Sequence, residues 1–129
     1  MTKSKIQQSY KPGKYSRLSH QPEPHYTAKG KIWVESRGEA YMGWGRVRLL
    51  ECIGRLGSIA AAARSMRMSY RNAWLEVETI NRLAPAPLVE KTTGGVGGGH
   101  ARLTEEGRKV TSDYKELRAR FQGFLKQVK

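Results

Sequence analysis

The stretch Gly57-Ser58-Ile59-Ala60-Ala61-Ala62-Ala63-Arg64-Ser65-Met66-Arg67-Met68-Ser69-Tyr70-Arg71-Asn72-Ala73-Trp74 decides the fold. Ser58 and Ser69 are both good helix N-caps, because a serine oxygen can accept from a free N–H of the first turn. Met66-Arg67-Met68 leaves room only for a tight connection between the two helices they start. Ala60 to Ala63 supply the small side chains that two helices need where they touch. The second helix places Ala73, Trp74, Val77, Ile80 and Ala84 on one face, and Pro85 and Pro87 stop it. Its first turn is polar instead, led by Ser69, Arg71 and Asn72. A helix locked on one side and polar at its N-terminal turn is the arrangement that enters a DNA major groove.

Working outward, Val47, Leu49, Leu50, Ile53 and Leu56 recur at helical spacing, and Gly57 stands where a left-handed C-cap belongs. Residues 31–43 read as a β-hairpin: Ile32, Trp33 and Val34 favour a strand, Ser36-Arg37-Gly38-Glu39 is turn chemistry, and Ala40-Tyr41-Met42 returns. Downstream, Leu88-Val89-Glu90 and Ala101-Arg102-Leu103 read as paired strands around a glycine-rich loop over Thr92–His100. Thr104 then caps a last helix whose positive end carries Glu105 and Glu106. The fold class is mainly α with small β: a winged helix–turn–helix with an N-terminal β-hairpin and a long C-terminal helix. No internal repeat is visible.

The chain has 129 residues, enough for one core, and 24 Lys and Arg face 11 Asp and Glu, for a net charge of +13. That balance points to a polyanionic partner. Residues 1–28 read as a basic, disordered tail interrupted by Pro12, Pro22 and Pro24, and 29–129 as the DNA-binding domain with a dimerisation helix. The basic start is followed by no apolar stretch, so neither a secretory signal nor a membrane partner is expected, and the compartment expected is the cytoplasm. Cys52 is the single cysteine, which leaves no internal disulfide and reads as a small core hydrophobe.

Catalysis is not expected. His20, His25 and His100 lack the spacing of a metal-ligand pair, and Asp113, the one aspartate, forms no triad. The glycine loop is followed by His100-Ala101-Arg102 where a phosphate-cradling loop needs Gly-Lys-Ser/Thr opening a helix. A wing is the better reading, since glycines let a hairpin tip approach the sugar–phosphate backbone. The residues expected at DNA follow from this. Arg71 and Asn72 suit base edges, as Arg bonds guanine and Asn bonds adenine in bidentate fashion. Ser69 suits phosphate or its own cap. Arg64 and Arg67 flank the turn and suit phosphate, as do Lys91, Thr93, Gly94, Gly95 and Arg102 of the wing. Arg55 and Arg82 read as solvated surface. Trp74 falls in the apolar register and reads as core, while Tyr70 is open between packing and DNA contact.

Gly57 to Ala63 followed by Met68-Ser69-Tyr70-Arg71-Asn72-Ala73-Trp74 resembles the DNA-binding N-terminal domain of the ModE family of molybdate-responsive bacterial regulators. The similarity continues through Leu88-Val89-Glu90, Thr93-Gly94-Gly95-Val96-Gly97-Gly98-Gly99 and Leu103-Thr104-Glu105-Glu106-Gly107. The resemblance implies a transcriptional regulator of double-stranded DNA, with repression favoured over activation. Members of that family carry a molybdate-binding module after the winged domain. This sequence ends at Lys129, so the expectation is no cofactor on this chain, no molybdate-selective binding, and a signal from a separate sensor protein. The rival class is a non-specific architectural or single-strand nucleic-acid binder, and a third is a protein-interaction module. Val110, Tyr114, Leu117, Phe121, Phe124 and Val128 recur at alternating four and three, the seam spacing of two packed helices, and predict a homodimer. The competing arrangement folds that helix back onto the hairpin at Trp33 and Tyr41.

Overall fold

The computed structural model describes residues 26–92 and 99–128. The first hairpin pairs β1 (Val34–Ser36) with β2 (Glu39–Met42) in antiparallel register, Ser36 opposite Glu39 and Glu35 opposite Ala40. Its turn is narrower than the sequence predicts. Arg37 and Gly38 both take left-handed backbone, φ 56° and 79°, the geometry of a two-residue turn that matches strand twist. A register shift follows between Val34 and Glu35, and Ile32 and Trp33 stand outside the strand.

Helix α1 (Trp44–Leu56) buries Val47, Leu49, Leu50 and Ile53. Gly57 ends it at φ 81°, returning its N–H to the Ile53 carbonyl at 2.8 Å. Leu56, expected on the apolar face, is exposed because the chain turns away there. Helix α2 (Ile59–Ser65) starts with the Ala61 N–H donating to Ser58 Oγ at 2.9 Å and buries Ala62 and Ala63. The connection is tight, with Arg67 left-handed and the Met68 N–H returning to the Ala63 carbonyl. Helix α3 (Tyr70–Leu83) starts with the Asn72 N–H donating to Ser69 Oγ at 3.0 Å and turns Ala73, Val77 and Ile80 into the core.

The second hairpin pairs β3 (Val89–Thr92) with β4 (His100–Leu103), Lys91 opposite Ala101 and Glu90 opposite Arg102. It is fastened at its root and again toward its outer end. Asn81 of α3 accepts from the N–H groups of Leu88 and Val89 and donates to the Val89 carbonyl, and the Ala101 N–H donates to the Gly57 carbonyl. Helix α4 (Glu105–Gln127) follows, capped as the sequence predicts: Thr104 Oγ1 accepts from the Gly107 N–H at 3.0 Å and donates to the Pro87 carbonyl at 2.7 Å. At Gly107 a Cβ would lie 2.3 Å from the Leu88 carbonyl oxygen, so only glycine admits this approach.

Residues 32–117 form one compact unit. Within it Tyr114 is only 4% exposed and its hydroxyl donates to the Ile32 carbonyl at 2.6 Å, while Val110 and Leu117 pack on the core cluster. The early part of the predicted dimer seam is thus covered by its own chain. A stripe at heptad-like spacing serves intramolecular packing as well as it serves a partner. A second unit joins described residues 26–31 to Arg118 and beyond, and Gly30 there lies against the Phe121 ring. Phe124, also in that unit, is 60% exposed. Among the described residues no helix is long and apolar enough to cross a membrane.

Candidate nucleic-acid interface

The N-terminal turn of α3 presents Ser69, Tyr70, Arg71 and Asn72 to solvent. Two local causes put them there. Ser69 spends its hydroxyl oxygen on the cap, which starts the helix at Tyr70. The fully buried inner face at Ala73, Val77 and Ile80 then fixes the helix's rotation. Arg64 near the end of α2 and Arg67 in the turn are exposed beside this surface, so the helix–turn–helix brings together the residues the sequence assigned to its two sides.

The wing distributes its charges differently. Lys91 forms an ion pair with Glu78 of α3 and stands 4.9 Å above the Trp74 ring. Arg102 pairs across the strands with Glu90. Because Lys91 lies opposite Ala101, the neighbour of Arg102, strand alternation sends Lys91 and Arg102 to opposite faces. The two expected backbone contacts therefore do not share a face. Thr93, Gly94 and Gly95 lie outside the described residues.

Trp74 departs from expectation: it is 38% exposed and is no core anchor. Its helical position falls at the edge of the apolar arc, beside the inward Ala73 and Val77, and there it meets Lys91 instead of the core. A groove of about 800 Å³ opens between α2, α3 and the wing strands, and Arg64, Tyr70, Trp74, Lys91 and His100 line it. Stacking under a cation suits Trp best among the aromatics, so this tryptophan links recognition helix to wing. His100, without a metal-ligand partner in the sequence pattern, belongs to the same surface.

Several residues that sequence reasoning missed hold this surface in place. Arg46 of α1 donates to the carbonyls of Ala40 and Tyr41 at 2.8 and 3.0 Å and pairs with Glu76 of α3, tying the first hairpin to the recognition helix. Asn81 does the same for the wing. Neither role has a sequence signal of its own, since Glu76 is distant from Arg46 in the chain and Asn81 reaches past the prolines to Leu88 and Val89. Arg82, expected at the surface, is exposed and hydrogen-bonds Glu39 at 2.7 Å. That hydrogen bond, with the guanidinium charge, holds the Glu39 carboxyl below its ordinary value and raises Arg82 in turn. Among the described residues no group of three His, Cys, Asp or Glu is placed to hold a metal ion.

Residues 44–108 match the family described as bacterial regulatory helix-turn-helix protein, lysR family. Among curated proteins, the chain is 43% identical over 83 residues to the molybdenum transport protein ModE of Azotobacter vinelandii, covering 64% of this chain and 31% of that protein. It is 46% identical over 86 residues to the molybdenum-pterin-binding protein MopB of Rhodobacter capsulatus, 67% of this chain and 32% of that one. To the DNA-binding transcriptional dual regulator ModE of Escherichia coli K12 it is 41% identical over 69 residues, 54% and 26%. These matches fit a ModE-like N-terminal helix–turn–helix domain, and the chain spans about a third or less of the length of these relatives. Among solved structures, a mutant of Lactococcus lactis ZitR aligns at TM-score 0.47 and 12% identity, over 96% of this chain and 82% of that one.

Proposed function

This chain belongs to the bacterial regulatory helix–turn–helix proteins of the lysR family, and from that premise we propose that it is a sequence-specific regulator of transcription that docks α3 in the major groove of duplex DNA. The observation that carries the reading is the division of α3. Its inner face is fully buried at Ala73, Val77 and Ile80 while Arg71 and Asn72 stand exposed at its N-terminal turn. Rigid seating on one side and bidentate donors on the other are what base readout requires. Arg64 and Arg67 supply phosphate contacts that set the register, and Lys91, on the wing face turned to α3, adds to them, while Arg102 lies on the other face.

The chain binds as a homodimer through the later part of the α4 stripe, Phe121, Phe124 and Val128. Support comes from the 60% exposure of Phe124, since burying a large apolar side chain is worth about 1.5–3 kcal/mol. Two copies then place two recognition helices on a two-fold site. Repression in the cytoplasm, under molybdenum-linked control, is the regulatory setting we propose. It rests on the relatives' names and on the family resemblance.

Selection of bound sequences from random duplex DNA tests the reading. The expected result is a two-fold consensus whose duplex outcompetes scrambled duplex and single strands at fixed salt. Recovery of no consensus, or equal binding to single strands, would overturn it.

A further inference from the structure

We propose that Leu75 is a specificity-determining residue that reads the C5-methyl group of a thymine in the major groove. The proposal rests on the docking of α3 described above and names what its outward face selects. Leu75 follows Arg71 by four residues, so the two are neighbours on one helix face. That face lies opposite Ala73, Val77 and Ile80, which are fully buried. Leu75 is 42% exposed, an aliphatic side chain set among cations. Arg71 precedes it by one turn, and Arg64 and Arg67 flank the turn of the motif.

The charge around Leu75 commits this surface to a polyanion, and the chemistry of base edges narrows what Leu75 meets there. Major-groove edges offer donors, acceptors and one apolar group, the thymine methyl. A leucine offers no hydrogen bond. Opposite a cytosine amino group or a purine edge it would strip water without replacing the lost bonds. Opposite a thymine it buries a methyl against a methyl. Glu78, the acidic group nearest on this face, is already neutralised by Lys91, so its charge does not oppose the approach of the strand. Spacing fixes where the thymine falls. Four residues of helix advance about 6 Å, against about 3.4 Å per base step, which puts it within about two base pairs of the pair read by Arg71.

The test replaces each thymine of the selected duplex, one at a time, with deoxyuridine, which removes only the methyl. Affinities are measured by fluorescence anisotropy at one salt concentration. At one thymine per half-site, wild-type affinity is expected to fall about fourfold, the change that roughly 0.8 kcal/mol per buried methyl corresponds to. Leu75→Ala should lose a similar factor on the thymine duplex and become indifferent to the methyl at that position. Leu75→Met, which retains apolar reach, should keep part of the discrimination. Because Leu75 is exposed, both variants should melt as the wild type does. Methyl sensitivity at no position, or sensitivity that persists in Leu75→Ala, would overturn the inference while leaving DNA recognition by α3 standing. Equal wild-type binding to selected and scrambled duplexes would instead remove the underlying reading and this inference with it.

Discussion

The two hairpins of this chain are small two-stranded sheets with opposite designs. The first is closed by a two-residue turn at Arg37 and Gly38 and gripped along its return strand by Arg46, which holds the Ala40 and Tyr41 carbonyls. The second runs its strands out to Thr92 and back from His100; it is held at the root by Asn81 and by the Leu88 carbonyl receiving the Thr104 N–H, and farther out by the Gly57 carbonyl at Ala101 and by Lys91 against Glu78 and Trp74. The first is a buttress whose return strand is tied to the recognition helix through Arg46 and Glu76, by partly buried contacts. The second is an arm tied to that helix by Asn81 at its shoulder and by Lys91 along its exposed strand. A regulator needs both, since α3 has to be held rigidly while the wing has to reach the backbone beside it.

Removing the shoulder should have the largest effect. Asn81→Ala leaves the Leu88 and Val89 N–H groups without their acceptor at buried residues. At about 1–3 kcal/mol for a buried group left unpaired, the loss should be on the order of 3 kcal/mol in urea denaturation. An unchanged midpoint would mean that the wing root is held by packing alone, which would erase the contrast. Removing the buttress comes next. Arg46→Ala deletes an exposed and a partly buried hydrogen bond from a charged donor and one partly buried ion pair, and should cost about 2 kcal/mol. Arg46→Lys should recover only part of it, because an ammonium cannot reproduce the guanidinium fork.

The smallest effect sharpens the contrast by showing what does not hold the first hairpin. The Glu39–Arg82 pair lies at the surface, and the Glu39 carboxyl is held below its ordinary value of 4.5 because Arg82 hydrogen-bonds it. A depressed carboxyl contributes stability above its unfolded value and loses it as pH falls through the folded one. Arg82→Gln should therefore return the Glu39 titration, followed by NMR, toward 4.5. Its melting temperature should differ slightly from wild type near neutral pH and converge with it in acid. A large difference at neutral pH would move this pair from surface ornament to structural anchor.

Helix starts and stops were legible because capping is local: Ser58, Ser69, Thr104 and Gly57 each act on atoms within a turn of themselves. The exposure of Arg71 and Asn72 at the start of α3 was legible for the same reason, as positions relative to a cap. Trp74 was not. Periodicity assigns it to the apolar arc, but whether the edge of that arc meets core or cation depends on where the wing lands, and Lys91 comes from a strand far along the chain. Arg46 with Glu76 is a long-range pairing of the same kind, and Asn81 with the strand after it depends on how the chain turns at Pro85 and Pro87. The α4 spacing predicts one seam, yet Tyr114 bonds the Ile32 carbonyl of its own chain. Burial separates those roles where spacing alone does not.

Arg71 offers the most direct test of base reading by α3. Arg71→Ala and the wild type would be titrated against the selected duplex and a scrambled duplex across a range of salt. Loss of a bidentate base contact should cost about 1–3 kcal/mol on the selected duplex and relax preference at one base pair, with scrambled binding nearly unchanged. Equal weakening of both duplexes, with a salt slope reduced by about one unit, would make Arg71 a phosphate anchor and contradict readout by this helix.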